Sequence, residues 1–193
     1  MYEHADQTWR DQPALMTARV RKLVAERVAE YVRRVGLREI LVIFHGGEPL
    51  LAGGSRIQET AQWIREAVPG STKVSFSMQT NGTLLTREAL DQLASVGIGV
   101  SLSIDGPQWA NDLHRLDHQR KSSYAGTIRA LQLLESHPDV YAGLIAVVDP
   151  SVPPAELLGF FASRRPPALD FLLPDANHLR HPPGRDVDPQ RYT

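Results

Sequence analysis

Cysteine is absent from this sequence, which excludes disulfides, thiolate metal sites and a cysteine nucleophile together. An excess of charge is absent too. Lys and Arg number 21 against 22 Asp and Glu, a formal net charge of -1, and no basic run stands out, so nucleic acid is not an expected partner. No apolar stretch approaches the length needed to span a membrane. The opening MYEHADQTWRDQP is polar and acidic, unlike a secretory signal or a transit peptide, so a cytoplasmic protein with no membrane partner is expected. At 193 residues the chain can enclose one real core but hardly two.

What is present is alternation. Ile40–Phe44 is an apolar run with no polar residue interleaved, the pattern of a fully buried strand. His45-Gly46-Gly47-Glu48-Pro49 stops it. The glycines permit a tight turn or a close approach of backbone to a ligand, and Pro49 lacks the N–H that a strand would need. Further strands are expected at Lys73–Gln79, Val100–Ile104, Tyr141–Val148 and Leu169–Leu173. Helices are expected from Thr17 to Gly36, then at about Ser55–Val68, Thr86–Val96, Ser123–Ser136 and Pro153–Ser163. The first of them is expected to bury Val20, Leu23, Val24, Val28 and Val32 and to turn its charged residues, Arg21 among them, to solvent. Residues 1–16, with Trp9 as an anchor, and 108–122 read as loops. His178–Thr193, rich in Pro and Arg, reads as a linker or disordered tail.

Strand–helix alternation at this spacing implies a parallel sheet with right-handed crossovers. Each strand ends in a Gly, Pro, Asn or Asp cluster, which gathers the polar turns on one rim, the edge where parallel α/β proteins place ligands. Too few strands are present to close an eight-stranded barrel, which takes about 250 residues, so an open partial barrel or a doubly wound sheet remains. The rim offers Glu48, Gln79, Asn81, Ser103, Asp105, Arg115 and Asp149. A carboxylate suits an ammonium group or a sugar diol, and a guanidinium beside a hydroxyl suits a carboxylate. Together they could hold an amino-acid nucleoside. Glu48 with Asp105 equally suits the general acid–base pair of a hydrolase or lyase, and spacing leaves both readings open.

HGGEPLL, MQTNGTLL and SIDGP, in that order at successive strand ends, resemble the radical S-adenosylmethionine enzymes that carry a SPASM extension, a set that includes the anaerobic sulfatase-maturating enzymes. YEHADQTWRDQP before a helix, and later DFLLPDA, look like the FxsB-type peptide maturases. The resemblance implies an α/β fold, a partial TIM-type (β/α)6 barrel that binds S-adenosylmethionine across its rim. It implies that Gly46, Gly47, Glu48 and Pro49 meet the methionine amino group, and that Ser103 and Arg115 hold its carboxylate and nearby groups. Asp105 would lie by the ribose. Val147, Val148 and Leu172–Pro174, Leu173 included, would pack by the adenine. Gln79 would face substrate, and Asn81 substrate or ribose. The implied activity is cross-linking of a ribosomally made peptide, with a flavodoxin or ferredoxin as electron donor.

The family's reaction uses a [4Fe–4S] cluster on three cysteines spaced C-x3-C-x2-C, with cofactors carrying the radical chemistry that the barrel orients. Here the sequence departs from the pattern, since it has no cysteine. The expectation is a chain truncated at both ends: the first strand and cluster loop missing before Met1, residues 1–177 the partial barrel, and 178–193 leading to an absent SPASM region. His4 stands near the cluster loop's place and His178 with His181 has ligand-like spacing, but neither is expected to hold metal. The chain alone is expected to be inactive. A non-catalytic relic that binds S-adenosylmethionine or peptide, and an acid–base barrel enzyme using Glu48 and Asp105, are the alternatives.

Overall fold

The computed structural model describes residues 13–117 and 119–174. Helix α1 (Ala18–Val35) leads to strand β1 (Glu39–Phe44), a 3-10 turn (Pro49–Ala52) and α2 (Gly54–Ala67). Then come β2 (Lys73–Thr80), α3 (Arg87–Ser95), β3 (Ile98–Ser103), the short α4 (Gln108–Asn111), α5 (Tyr124–Glu135), β4 (Tyr141–Val147), α6 (Pro154–Arg164) and β5 (Leu169–Leu172). The expectations for His4, Trp9, His178, His181 and the tail lie outside the described residues.

All the strand pairs are parallel and the order is β1-β2-β3-β4-β5. A doubly wound sheet would reverse its strand order at a switch point. Strictly sequential order instead curls the sheet one way, and the result is a half-barrel of the TIM type. Alternate residues divide its two faces. Val74, Phe76, Met78 and Thr80 of β2, and Ile98, Val100 and Leu102 of β3, turn outward to the helices and form the core with Leu90, Leu93, Leu131 and Leu134. Ser75, Ser77, Gln79, Ser101 and Ser103 alternate with them and turn to the hollow inner face.

Two expectations about burial are corrected. Ile40–Phe44 is not buried on both faces: exposure alternates along β1, and Leu41 and Ile43 are 59% and 48% exposed. The cause is position, since β1 is an edge strand and its inner-facing side chains have no neighbour beyond them. β5, at the other edge, is likewise mostly exposed. The first helix is turned from the expected face: Val32 is buried and Val28 packs against the core as expected, but the rest of the expected face is not inside. Arg21, Ala25, Ala29 and Val32 are its buried residues, a line of small side chains that lets α2 approach closely, while Val20, Leu23 and Val24 stay exposed. Arg21 is the pin of this contact. It donates to Arg56 O at 3.0 Å and Thr60 Oγ1 at 3.0 Å, pairs with Glu59 at 2.8 Å, and its guanidinium stacks 4.9 Å over Trp63.

Candidate functional site

All five strands run the same way, so their C-terminal ends and the loops that follow share one rim. At the end of β1 the chain breaks sharply: Gly46 has φ +140 and stands open, with nothing within 4 Å of where a Cβ would be. Pro49 opens the 3-10 turn, and Glu48 caps it. The Glu48 carboxylate also crosses to the next strand. Its Oε1 accepts from Leu50 N at 3.0 Å and from the Thr80 hydroxyl at 2.7 Å, and its Oε2 accepts from Asn81 N at 2.9 Å. One carboxylate thereby ties the ends of β1 and β2 together. A carboxylate offers about four acceptor positions; the one left over is on Oε2.

A second tie joins β3 to β4. Asp105, buried just past β3, receives a two-pronged ion pair from Arg115, Nε at 2.5 Å and Nη2 at 2.8 Å. Its Oδ1 also accepts from Val147 N at 2.9 Å. This holds the guanidinium plane while leaving Nη1 without a partner among the described residues. Asn111, fully buried on α4, accepts from Asp105 N at 3.2 Å, and its Nδ2 has no partner among the described residues. Further out, His114 Nε2 meets Asp149 Oδ2 at 2.6 Å, which pins the excursion after β3 to the end of β4. Burial by itself would raise the Asp149 carboxyl. The hydrogen bonds from the Ser151 hydroxyl, the His114 ring and Ser151 N outweigh it and hold that carboxyl below the usual aspartate range.

The other expected positions divide. Ser103 and Gln79 lie half-buried on the inner face, each side chain without a hydrogen-bond partner among the described residues. The Asn81 side chain is engaged locally, accepting from Thr83 N at 2.9 Å and from the Thr83 hydroxyl at 2.7 Å, so it shapes the turn. Val148 packs against the helix-side core, because it alternates with Val147. Val147 and Leu172, directly paired across β4 and β5, are the ones turned inward. Leu173 is 73% exposed just past β5. Thr80, Asn111 and His114 are the site residues that sequence reasoning passed over. The loop expected at 108–122 also contains a helical turn, α4, which carries Asn111 to Asp105.

The two carboxylates of the acid–base alternative are both structural ties: three of the about four acceptor positions of Glu48 and of Asp105 are taken by N–H or O–H donors, and the Asp105 charge is paired with Arg115.

Comparison with known proteins speaks to family and fold. The Radical SAM superfamily profile matches residues 7–157. A serine-type anaerobic sulfatase-maturating enzyme of Klebsiella aerogenes is 33% identical over 135 residues, 67% of this chain and 33% of the relative. The radical SAM cyclopropyl synthase TigE of Paramaledivibacter caminithermalis is 26% identical over 132 residues, 68% of this chain and 27% of the relative. Among solved structures, native anSMEcpe with bound AdoMet and Kp18Cys peptide superposes with a TM-score of 0.74 at 25% identity, over 82% of this chain and 43% of that one. The chain spans about a third of the length of the curated relatives it matches.

Proposed function

The chain belongs to the radical SAM superfamily, and on that premise we propose that it is the S-adenosylmethionine-binding core of an enzyme that cross-links a ribosomally made peptide. The observation that carries the reading is the pair of ties on one rim. Glu48 keeps an acceptor position on Oε2 beside the open Gly46–Gly47 backbone, suited to the ligand's ammonium. Arg115, its plane fixed by Asp105, keeps Nη1 for the carboxylate, with the Ser103 hydroxyl on the same inner face. Val147 and Leu172 offer an apolar surface for the adenine. S-adenosylmethionine would supply a carbon radical for hydrogen abstraction only on one-electron reduction by a separate donor, which breaks its sulfonium C–S bond and leaves methionine; the residues named would bind and orient it.

A [4Fe–4S] cluster does not fit this chain. It has no thiolate to offer, and among the described residues no group of three or more His, Asp or Glu could hold a metal ion. No step is assigned to it, and in this reading the chain by itself turns over no substrate. The division into a barrel portion, residues 1–177, and a linker, 178–193, rests on the sequence pattern alone. A peptide substrate is supported by the relatives, one of which is named for its sulfatase maturation and another of which is solved with a peptide. The FxsB-type assignment and the flavodoxin or ferredoxin donor rest on the sequence resemblance alone. No helix among the described residues is long and apolar enough to cross a membrane.

Isothermal titration of the chain with S-adenosylmethionine tests the reading. Saturable one-site binding is expected, weakened at least tenfold by Arg115→Met. A folded chain that binds no S-adenosylmethionine would sink it. The non-catalytic alternative shares this binding and differs only in never supporting turnover when cluster-bearing sequence is joined to the chain.

A further inference from the structure

We infer that Thr80 is a positioning residue for the ammonium end of the ligand, acting through Glu48; this rests on the S-adenosylmethionine reading above. Thr80 closes β2 with its side chain on the helix side, 2% exposed, so it touches no ligand itself. Its hydroxyl makes two bonds of fixed sense. Gly82 N donates into it at 3.0 Å, and it donates to Glu48 Oε1 at 2.7 Å. The hydroxyl has one proton. With a lone pair taken by Gly82, that proton is directed to Glu48.

The consequence falls on the opposite oxygen. Leu50 N and the Thr80 hydroxyl occupy Oε1, so the carboxylate cannot rotate without breaking charge-assisted bonds. Oε2, held by Asn81 N alone, is left as the oxygen with room for a cation. Without the Thr80 proton, Oε1 would regain an open acceptor position and compete for that cation, and the Gly82 N–H would be buried without a partner. Gly82 itself sits in a turn with φ +77, close against Leu102 and Ala130, whose Cδ1 and Cβ stand 2.5 and 2.6 Å from the position a Cβ would take.

The test compares two probes that differ at the amino-acid end: S-adenosylmethionine and 5′-methylthioadenosine, which lacks the ammonium and the carboxylate. Thr80→Val is expected to weaken S-adenosylmethionine at least tenfold by titration calorimetry while leaving 5′-methylthioadenosine within twofold of the wild type. Thr80→Ser, which restores the hydroxyl, is expected to recover S-adenosylmethionine affinity to within threefold. Equal losses for both probes would mark a merely structural role and overturn the inference, as would a valine variant that binds S-adenosylmethionine normally. If the valine variant does not fold, amide hydrogen exchange in the wild type decides. Exchange at Asn81 and Gly82 should slow on adding S-adenosylmethionine but not 5′-methylthioadenosine, and equal effects of the two refute the assignment. A wild type that binds neither probe defeats the S-adenosylmethionine reading itself, a different result from selective binding that ignores Thr80.

Discussion

Replacing Asp105 by alanine probes the tie between β3 and β4 most directly. The carboxylate is 7% exposed and accepts three hydrogen bonds, two from Arg115 and one from Val147 N. Removing one member of a buried ion pair costs about 3–5 kcal/mol, because the other charge is left uncompensated. Leaving a buried N–H unpaired costs about 1–3 kcal/mol. These do not simply add: Arg115 has 23% of its side chain exposed and can recover water, which takes the estimate to about 3 kcal/mol. A chain of this size loses about 2 kcal/mol per molar urea, so the urea midpoint should fall by about 1.5 M. Arg115→Ala in the same background separates the causes. If the orphaned cation is what hurts, the double variant should regain about 1–2 kcal/mol relative to Asp105→Ala. A midpoint shift below about 0.5 M, or strict additivity of the two changes, would refute the argument that this pair is a coupled buried unit.

Three further outcomes are expected, each with its own measurement. Arg21→Ala should cost about 2–3 kcal/mol in urea unfolding, as a buried charged donor is lost from Arg56 O, Thr60 and Glu59, whereas Leu23→Ala, at a position 43% exposed, should stay within about 0.5 kcal/mol. The reverse ranking would restore the valine face as the packing face of α1. Gly82→Ala combines an unfavourable positive φ with clashes against Leu102 and Ala130, so a loss of about 2–4 kcal/mol is expected by calorimetric melting; a melting point unchanged within error contradicts it. The Asp149 carboxyl titrates below its ordinary range in the folded chain. The stability it lends is therefore complete above the unfolded value of about 3.9 and is lost as pH falls through the lower folded value. Asp149→Asn should make the acid unfolding curve, followed by circular dichroism, less steep below about pH 4; identical curves count against the pairing with His114 and Ser151.

Element type and order were legible in the sequence because periodicity and turn chemistry agreed at each boundary. Thr17, Thr86 and Gly36, for instance, cap their helices with side-chain or left-handed geometry. Burial was less legible, and for a physical reason. Leu41 and Ile43 are as apolar as Val42, and only the place of β1 at the edge of the sheet exposes them. On α1 the stronger apolar signal, Val20, Leu23 and Val24, misled, since close approach to α2 favoured Ala25 and Ala29. At the rim, Glu48 and Asp105 stood out as charged residues just past strand ends, and Arg115 through the family resemblance. Thr80 and Asn111 did not, because a hydroxyl or amide at a strand end is ordinary in sequence and acquires meaning only through the carboxylate or backbone it meets.

The two ties are alike in construction. Each is a carboxylate just past one strand that accepts an N–H from the end of the next: Glu48 from Asn81, and Asp105 from Val147. β1 is thereby laced to β2 and β3 to β4, but no such lace joins β2 to β3 among the described residues. Between those two strands the inner face presents Gln79, paired in register with Ser101, and then Ser103, side chains that are small or unengaged. In the proposed reading the amino-acid end of the ligand lies between these flanks, with Glu48 on one side and Arg115 on the other. Both ends are set before binding by bonds within the protein, so the ordering entropy of Glu48 and Arg115 is spent in folding and not again when the ligand arrives.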